Sequence, residues 1–282
     1  MTKSALQLYQ WLIQPLEDYL KIINAKTIIY APDGQLRYIP LAGLYDGDKW
    51  LVERFKINNI TAASLMNIQK KSNVEVKILA GGLSEGSYNF EVGNNKFSFD
   101  ALAFAAPEVN SLASLFPDTK KLLDNAFTRE AVVAQMNQYN IVHLATHAAF
   151  VRGKPEDSFI LFGDGDRVTL RDVESWDLKN VDLVVLSACQ TGVGGILGNG
   201  EEILGFGYMM QQAGALATLA SLWRVDDQAT QKLMQVFYAQ LESGNITKAE
   251  ALRQAQISLI SSNYKGGHPY YWSPFILICN GL

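Results

Sequence analysis

The sequence predicts an α/β fold, a three-layer sandwich in which a mostly parallel sheet lies between layers of helices. Short apolar runs rich in β-branched residues alternate along the 282 residues with longer segments whose apolar side chains recur at helical spacing. The run at residues 184–186 is uninterrupted, which is typical of a strand buried on both faces. Because neighbouring parallel strands need crossover helices, this alternation favours a layered α/β sandwich.

Turn and capping residues indicate where the predicted helices begin and end. Thr128 and Thr247 are suitable N-caps, and Gly214 and Gly244 follow the helices that they are expected to end. The predicted strands cover residues 27–31, 37–39, 51–60, 74–80, 120–123, 141–146, 159–162, 168–170, 184–186, 217–223 and 275–279. The predicted helices cover residues 4–23, 64–71, 108–116, 128–136, 200–212, 228–242 and 248–261.

A polar, aromatic stretch near residues 84–99 differs from its surroundings. Its two halves alternate and are separated by Asn94-Asn95, so they predict an inserted β-hairpin. We expect it to decorate the surface or to contact a partner or substrate. We assign residues 26–282 to one domain, and residues 1–25 to an N-terminal helix that is the end of a preceding helical region or an attached element.

Composition excludes several classes of function. The chain has 24 Lys and Arg against 28 Asp and Glu, a net charge of −4, which argues against non-specific binding to nucleic acid or to an anionic membrane. There is no apolar run of the ~18–20 residues that a spanning helix needs. Two cysteines are too few for a disulfide scaffold, and no signal-peptide pattern opens the chain, so we expect a reducing, cytoplasmic setting.

Two reactive side chains follow neighbouring apolar runs. His147 ends the run at residues 141–146, and Cys189 ends the run at 184–186, just before four glycines within residues 192–198. If these strands are parallel neighbours, their ends lie at one edge of the sheet and the two side chains meet. An adjacent imidazolium lowers the pKa of a thiol from about 8.5 and favours the nucleophilic thiolate.

Other interpretations of these residues are weaker. The spacing H-L-A-T-H lacks the glutamate of H-E-x-x-H and lies in a strand-like run, so no metal site is predicted. The glycines fit neither G-x-G-x-x-G nor a P-loop, which leaves nucleotide binding as a minor alternative and no predicted cofactor. His143 and Cys279 are expected to be core residues. Asp226 and Asp227 suit the positive end of a helix, and they also lie where a basic substrate side chain would bind.

Several longer motifs resemble one family. H-L-A-T-H-A-A-F, L-S-A-C-Q-T-G-V-G and L-W-R-V-D-D-Q-A-T, together with H-P-Y-Y-W-S-P-F near the C-terminus, are similar to a CHAT domain. That family is a bacterial branch of the caspase and separase group of cysteine peptidases. The resemblance runs from about residue 28 to the C-terminus and is most specific between residues 143 and 275.

The resemblance implies a caspase-like fold and a cysteine endopeptidase for regulated, limited proteolysis in bacterial signalling. It implies a protein substrate, a helical-repeat region or activating protein partner, and no cofactor. The site residues that it implies are His147 as base, Cys189 as nucleophile, the amides of Ala148 and Cys189 as oxyanion donors, and Gln190, Arg224, Asp226 and Asp227 as substrate contacts.

Two positions depart from the family pattern. Family members commonly have glycine after the histidine and glutamate after the cysteine, where this chain has Ala148 and Gln190. Ala148 favours the alternative of a catalytically inactive CHAT domain that acts as a protein-interaction module. In separases an aspartate just after the tryptophan helps to recognise arginine, and Arg224 occupies that position here, so the residue preferred before the scissile bond stays open.

Overall fold

The computed structural model describes residues 2–61, 76–92, 95–151, 157–193, 201–244 and 246–282, without the side chains of 95, 150, 188–193 and 201–203. The helix predicted at residues 64–71 lies outside the described residues. So does most of the glycine-rich stretch that follows Cys189.

Within the described part, ten strands form one sheet and two more form a separate hairpin. The strands are β1 (Thr27–Tyr30), β2 (Lys56–Asn59), β3 (Ile78–Gly82), β4 (Ser87–Val92), β5 (Asn95–Asp100), β6 (Lys120–Leu123), β7 (Ile141–Val151), β8 (Phe159–Leu161), β9 (Arg167–Thr169), β10 (Leu183–Val193), β11 (Ala217–Ser221) and β12 (Phe275–Cys279). The main path has the order β1-β2-β12-β11-β10-β7-β3-β6 and is parallel except between β11 and β12. The predicted, largely parallel α/β sheet is therefore confirmed.

Helices cover both faces of this sheet. They are α1 (Thr2–Leu12), α2 (Glu17–Ile22), α3 (Leu51–Arg54), α4 (Ala105–Leu115), α5 (Arg129–Val133), α6 (Leu170–Val173), α7 (Glu201–Gln212), α8 (Asp227–Glu242) and α9 (Lys248–Ser261). One core contains residues of α1, α3, α4, α8 and α9, and the other contains residues of α5, α6 and α7. The three layers follow from this division.

The central strands contribute alternately to the two cores. Leu183 and Val185 of β10 pack with the α8 layer, whereas Val184 and Leu186 pack with the α7 layer. Successive side chains of a strand point to opposite faces, so a strand covered on both sides must be apolar at every position. The uninterrupted run at 184–186 is thus explained by burial on both faces.

One predicted strand is wrong and another is wrong in part. Residues 37–39 were expected to be the return strand of a hairpin, but Gly34–Tyr38 is a 3₁₀ helix whose first amide donates to the Asp33 carboxylate. Residues 51–60 divide into α3 and β2. In both cases a local cap decides the conformation: the Glu53 carboxylate accepts from the Trp50 amide at the start of α3, at 2.7 Å.

The N-terminal helices pack on the main core. Tyr9 and Ile13 are buried in the cluster that also contains Trp272 and Phe55. Arg54 donates to the Glu17 carboxylate at 2.9 Å and so joins α2 to the end of α3. Among the described residues, no helix combines the length and apolarity needed to cross a bilayer.

Candidate functional site

β7 and β10, which carry the predicted catalytic pair, are adjacent and parallel. Leu186 lies opposite Leu144, and Ala188 lies opposite His147, so β7 has one extra residue between these pairs. This is a β-bulge, which locally bends a strand and redirects its side chains, and such bulges are common beside active sites. The bulge comes immediately before His147.

The prediction that both strands end at the reactive residues is wrong. β7 continues to Val151 and β10 to Val193. The reason is β8, which pairs antiparallel with β7 at Ala148 and Ala149 and extends the sheet past His147. By backbone register Cys189 lies opposite Ala148, one residue beyond His147. The side chain of Cys189 lies outside the described residues.

The imidazole of His147 is held by two consecutive residues of β5. Its Nε2 lies 2.7 Å from the carbonyl oxygen of Asp100, and its ring stacks on Phe99 with centroids 4.6 Å apart and planes at 30°. A carbonyl only accepts, so the Nε2 proton must donate to it. In the neutral ring Nδ1 is then unprotonated, which is the state that a general base needs.

Burial favours the neutral imidazole. His147 is 3% exposed. Burial lowers the pKa of His147; the bond to the Asp100 carbonyl opposes that shift, and the guanidinium of Arg224 adds to it. Since the ordinary histidine pKa is about 6.5, the ring is neutral at pH 7 and able to accept a proton.

The hairpin of β4 and β5 is therefore part of the site. We expected it to decorate the surface or to contact a partner or substrate, and its contacts with His147 were not predicted. The sequence does contain a signal: Phe90, Phe97 and Phe99 recur on one face of the hairpin, with polar residues between them. A strictly alternating aromatic face is typical of a strand packed on a core rather than of a loop.

His143 lies on the same strand but has different neighbours. Its Nδ1 is 2.9 Å from the Tyr238 hydroxyl, and its Nε2 is 2.8 Å from Glu108 Oε1, a contact that falls short of hydrogen-bond geometry. All three side chains are buried. Burial raises the pKa of Tyr238 well above its ordinary value, so its hydroxyl keeps its proton. His143 is thus a core histidine.

A small cavity of about 10 Å³ lies between α4 and α8. Its lining includes Glu108, Ser187, Asp227 and Thr230. That volume holds roughly one water. Burial raises the pKa of Asp227. The Arg224 guanidinium opposes this rise, and the Asp226 and Glu108 carboxylates add to it. Two acids thus lie beside the strand that leads to Cys189.

Asp226 has a structural role. Its carboxylate caps α8 by accepting from the Ala229 amide at 3.1 Å, and it also accepts from the Tyr264 hydroxyl at 3.0 Å. Lys265 pairs with its other oxygen at 3.1 Å. Burial alone raises the pKa of Asp226, but these hydrogen bonds outweigh burial and lower it. Its oxygens are therefore already occupied.

The remaining predicted site residues lie at or near the same edge. Arg224 is exposed after β11, and its carbonyl accepts from the Tyr270 hydroxyl at 2.9 Å. Ala148 is not among the described non-glycine residues with positive φ, and it pairs with both β10 and β8. Gln190 lies opposite Ala149 by register, and its side chain lies outside the described residues.

Cys279 lies in a different environment from His147 and has different chemistry. It is buried in β12, and its Sγ contacts the Gln211 side-chain oxygen at 3.2 Å. Burial raises its pKa to about 12, so the thiol stays protonated. It is the core cysteine that the sequence predicts.

Comparison with known proteins identifies the family. The model of the CHAT domain family matches residues 2–280. The chain belongs to the CHAT domain family. The match includes α1 and α2, which the sequence analysis assigned to a separate N-terminal segment, and the resemblance found in the sequence motifs is confirmed.

Relatives of this CHAT domain include much longer proteins. Tetratricopeptide repeat protein 28 from Homo sapiens is 26% identical over 322 residues, and its Mus musculus counterpart is 25% identical over 321 residues. Each alignment covers 96% of this chain and 13% of the relative. This CHAT domain thus spans about an eighth of the length of these curated relatives.

Solved structures similar to this CHAT domain are cysteine peptidases. Porphyromonas gingivalis RgpB, in a complex of its pro- and mature domains, matches with a TM-score of 0.56 at 10% identity over 99% of this chain and 68% of that chain. The Saccharomyces cerevisiae separase–securin complex matches with a TM-score of 0.54 at 11% identity over 86% and 14%. At these identities the likeness shows the fold, which is caspase-like.

Tyr238→Phe should destabilise the CHAT domain by about 1–3 kcal/mol, because it leaves the buried His143 Nδ1 without its partner. Urea unfolding followed by circular dichroism measures the change in free energy. Tyr208→Phe is the matched control, since Tyr208 is 40% exposed, and it should change stability by less than about 0.5 kcal/mol. Equal stabilities of the two variants would show that the Tyr238 contact contributes nothing.

Proposed function

We propose that this CHAT domain is a cysteine endopeptidase that cuts a limited set of protein substrates. The observation that supports it best is the state of His147. The ring is buried, its Nε2 proton is committed to the Asp100 carbonyl, and its strand is paired with the strand of Cys189. A histidine with only a packing role needs neither a fixed tautomer nor a cysteine on the neighbouring strand.

The proposed reaction uses the two residues in turn. His147 Nδ1 takes the proton of the Cys189 thiol, and the thiolate sulfur attacks the carbonyl carbon of the scissile peptide. The tetrahedral oxyanion collapses, the C–N bond breaks, and the imidazolium protonates the leaving amine. Water, deprotonated by His147, then hydrolyses the thioester and restores the thiol. Because a thiolate must remain reduced, we propose a reducing, cytoplasmic setting.

The amides of Ala148 and Cys189 are the proposed oxyanion donors. Ala148 has the extended backbone of a strand residue, so an alanine there is not strained where a glycine is common in the family. Its backbone also lies between β8 and β10.

Replacing Cys189 by Ala, or His147 by Ala, should each abolish cleavage, since one change removes the nucleophile and the other its base. Cleavage is measured on a peptide library, with fragments identified by mass spectrometry. Cys279→Ser is the control and should retain activity, because that thiol is buried and protonated. Cleavage that persists in both dyad variants would contradict the proposal.

We further propose a basic side chain before the scissile bond, recognised by Asp227. RgpB, the first of the similar solved structures, is gingipain R, an Arg-specific cysteine proteinase. In this chain Asp227 and Glu108 line the small cavity together with Ser187, two residues before Cys189. The cavity is too small for an arginine as it stands, so substrate binding has to widen it. Gln190 and Arg224 remain predicted substrate contacts.

Asp227→Asn should lower kcat/KM for arginine or lysine peptides by about tenfold to a hundredfold, because it removes a half-buried charge that faces the substrate cation. Fluorogenic peptides that differ only at this position measure the change. Asp118→Asn, at an exposed position next to β6, is the control. An unchanged preference for arginine and lysine peptides in Asp227→Asn would show that Asp227 does not recognise the substrate side chain.

The second candidate function is a protein-interaction module. One segment favours it: Trp11, Leu16, Tyr19, Ile22 and Ile23 are each at least half exposed within the first 23 residues. Apolar side chains grouped in this way are typical of a surface that another protein covers. The relatives are tetratricopeptide-repeat proteins, so we propose helical repeats, in the same chain or in an activating partner, as the element that packs there.

A thiol-reactive peptide ketone distinguishes the two functions. If the chain is an enzyme, the wild type should label at Cys189 much faster than His147→Ala, because the imidazole generates the thiolate. Intact-mass spectrometry gives both rates. If the chain is only a module, the two proteins should label at the same slow rate.

A further inference from the structure

Side-chain contacts, rather than backbone pairing with the main sheet, attach the β4–β5 hairpin to the domain. Its strands pair only with each other among the described strands. At its base the Asp124 carboxylate accepts from the Ser84 amide at 2.7 Å, and the Tyr88 hydroxyl donates to the Gly163 carbonyl at 2.8 Å. The hairpin is therefore fixed in place but has no ladder of its own to the central strands.

An aromatic cluster fixes the inner face of the hairpin. Phe90, Phe97 and Phe99 contact Phe159 of β8, with ring centroids 5.1–6.2 Å apart. Arg167 lies over Phe90 at 4.6 Å. Such edge-to-face contacts fix ring orientation as well as burying area. β8 is also the strand that extends the sheet beside His147, so one cluster connects the hairpin and that edge.

The two hairpin contacts with His147 constrain the imidazole in different directions. The Asp100 carbonyl accepts a hydrogen bond from Nε2–H of His147. This bond fixes the tautomer of the imidazole and its rotation about the Cβ–Cγ bond. Phe99 covers one ring face, which fixes the plane. Together the two contacts hold the imidazole in one orientation. No other hairpin residue has a role in the proposed chemistry.

From this geometry we infer that Phe99 is a positioning residue, through which the β4–β5 hairpin holds the His147 imidazole in the orientation and tautomer that proton transfer requires. The inference rests on the proposed peptidase function. A purely structural alternative is that Phe99 only fills the core between the hairpin and β8. The two accounts differ in whether His147 changes when Phe99 does.

Phe97 provides a matched control for Phe99. It lies two residues earlier on the same face of β5, is similarly buried, and stacks on Phe99 with centroids 5.9 Å apart. No ring contact joins Phe97 to His147 in the described part of the chain. Substitution of either phenylalanine by leucine removes one ring from the cluster, and only one of the two substitutions removes the ring that covers the imidazole.

The experiment compares Phe99→Leu, Phe99→Tyr and Phe97→Leu in the full chain. Phe99→Leu should lower kcat about tenfold to a hundredfold with KM changed less than about twofold, because a misplaced base slows chemistry without weakening binding. Phe99→Tyr keeps the ring and should retain most activity. Phe97→Leu should retain kcat even where its thermal stability falls as much.

Imidazole ¹⁵N shifts of His147 give a readout that does not need cleavage. The wild type, Phe97→Leu and Phe99→Tyr should show the Nε2–H tautomer. Phe99→Leu should show a mixture of both tautomers, because an imidazole whose face is uncovered can tilt away from the Asp100 carbonyl that holds its Nε2 proton. The charged groups that also reach the ring are the Asp100 carboxylate and Arg224, and both are unchanged in these variants. If the wild type cleaves nothing, the proposed function fails and the tautomer comparison still decides the role of Phe99. Identical tautomers in Phe99→Leu and wild type, or equal losses of kcat in Phe99→Leu and Phe97→Leu, would overturn the inference.

Discussion

The pairing of β7 with β10, in the middle of a sheet covered on both faces, is the constraint on which the rest depends. Leu186 and Leu144 lie opposite each other in the buried part of these strands. A shift of β7 by one residue would move His143 to the opposite face of the sheet, away from Glu108 and Tyr238, and so disfavours any other register. The bulge then adds one residue to β7 just before His147, and a second register shift follows between Thr191 and Val193. The relative positions of His147 and Cys189 along their strands follow from this.

Two histidines four residues apart on β7 have different roles because different elements cover them. His143 lies under α4 and α8, where its Nδ1 meets the Tyr238 hydroxyl and its Nε2 lies 2.8 Å from the Glu108 carboxylate. His147 lies under the hairpin, where one nitrogen meets a backbone carbonyl. Buried polar atoms need partners, and a partner that leaves Nδ1 unprotonated also leaves a base. The two histidines therefore differ in what packs on each of them.

The edge beside His147 combines elements from distant parts of the chain. The hairpin comes from residues 87–100, the acid Asp227 opens α8, and the strand of Cys189 lies between them in sequence. The exposed apolar residues of α1 and α2 lie in a segment whose other side, at Tyr9 and Ile13, is already in the main core. That segment is thus fixed on the domain and still presents apolar surface to solvent.

The sequence by itself determined the layered α/β architecture, the core cysteine at 279, and the strands that carry His147 and Cys189, because hydrophobic periodicity and strand burial are local properties. That these two strands are neighbours was a condition of the sequence argument, and the sheet order decided it. The sequence did not determine the 3₁₀ helix at Gly34–Tyr38, which a single carboxylate cap selects over a strand. Nor did it reveal the contacts of Phe99 and Asp100 with His147, or those of Glu108 and Tyr238 with His143. Those partners are separated by 35 to 95 residues in sequence and meet only through packing, so only the tertiary structure decided them.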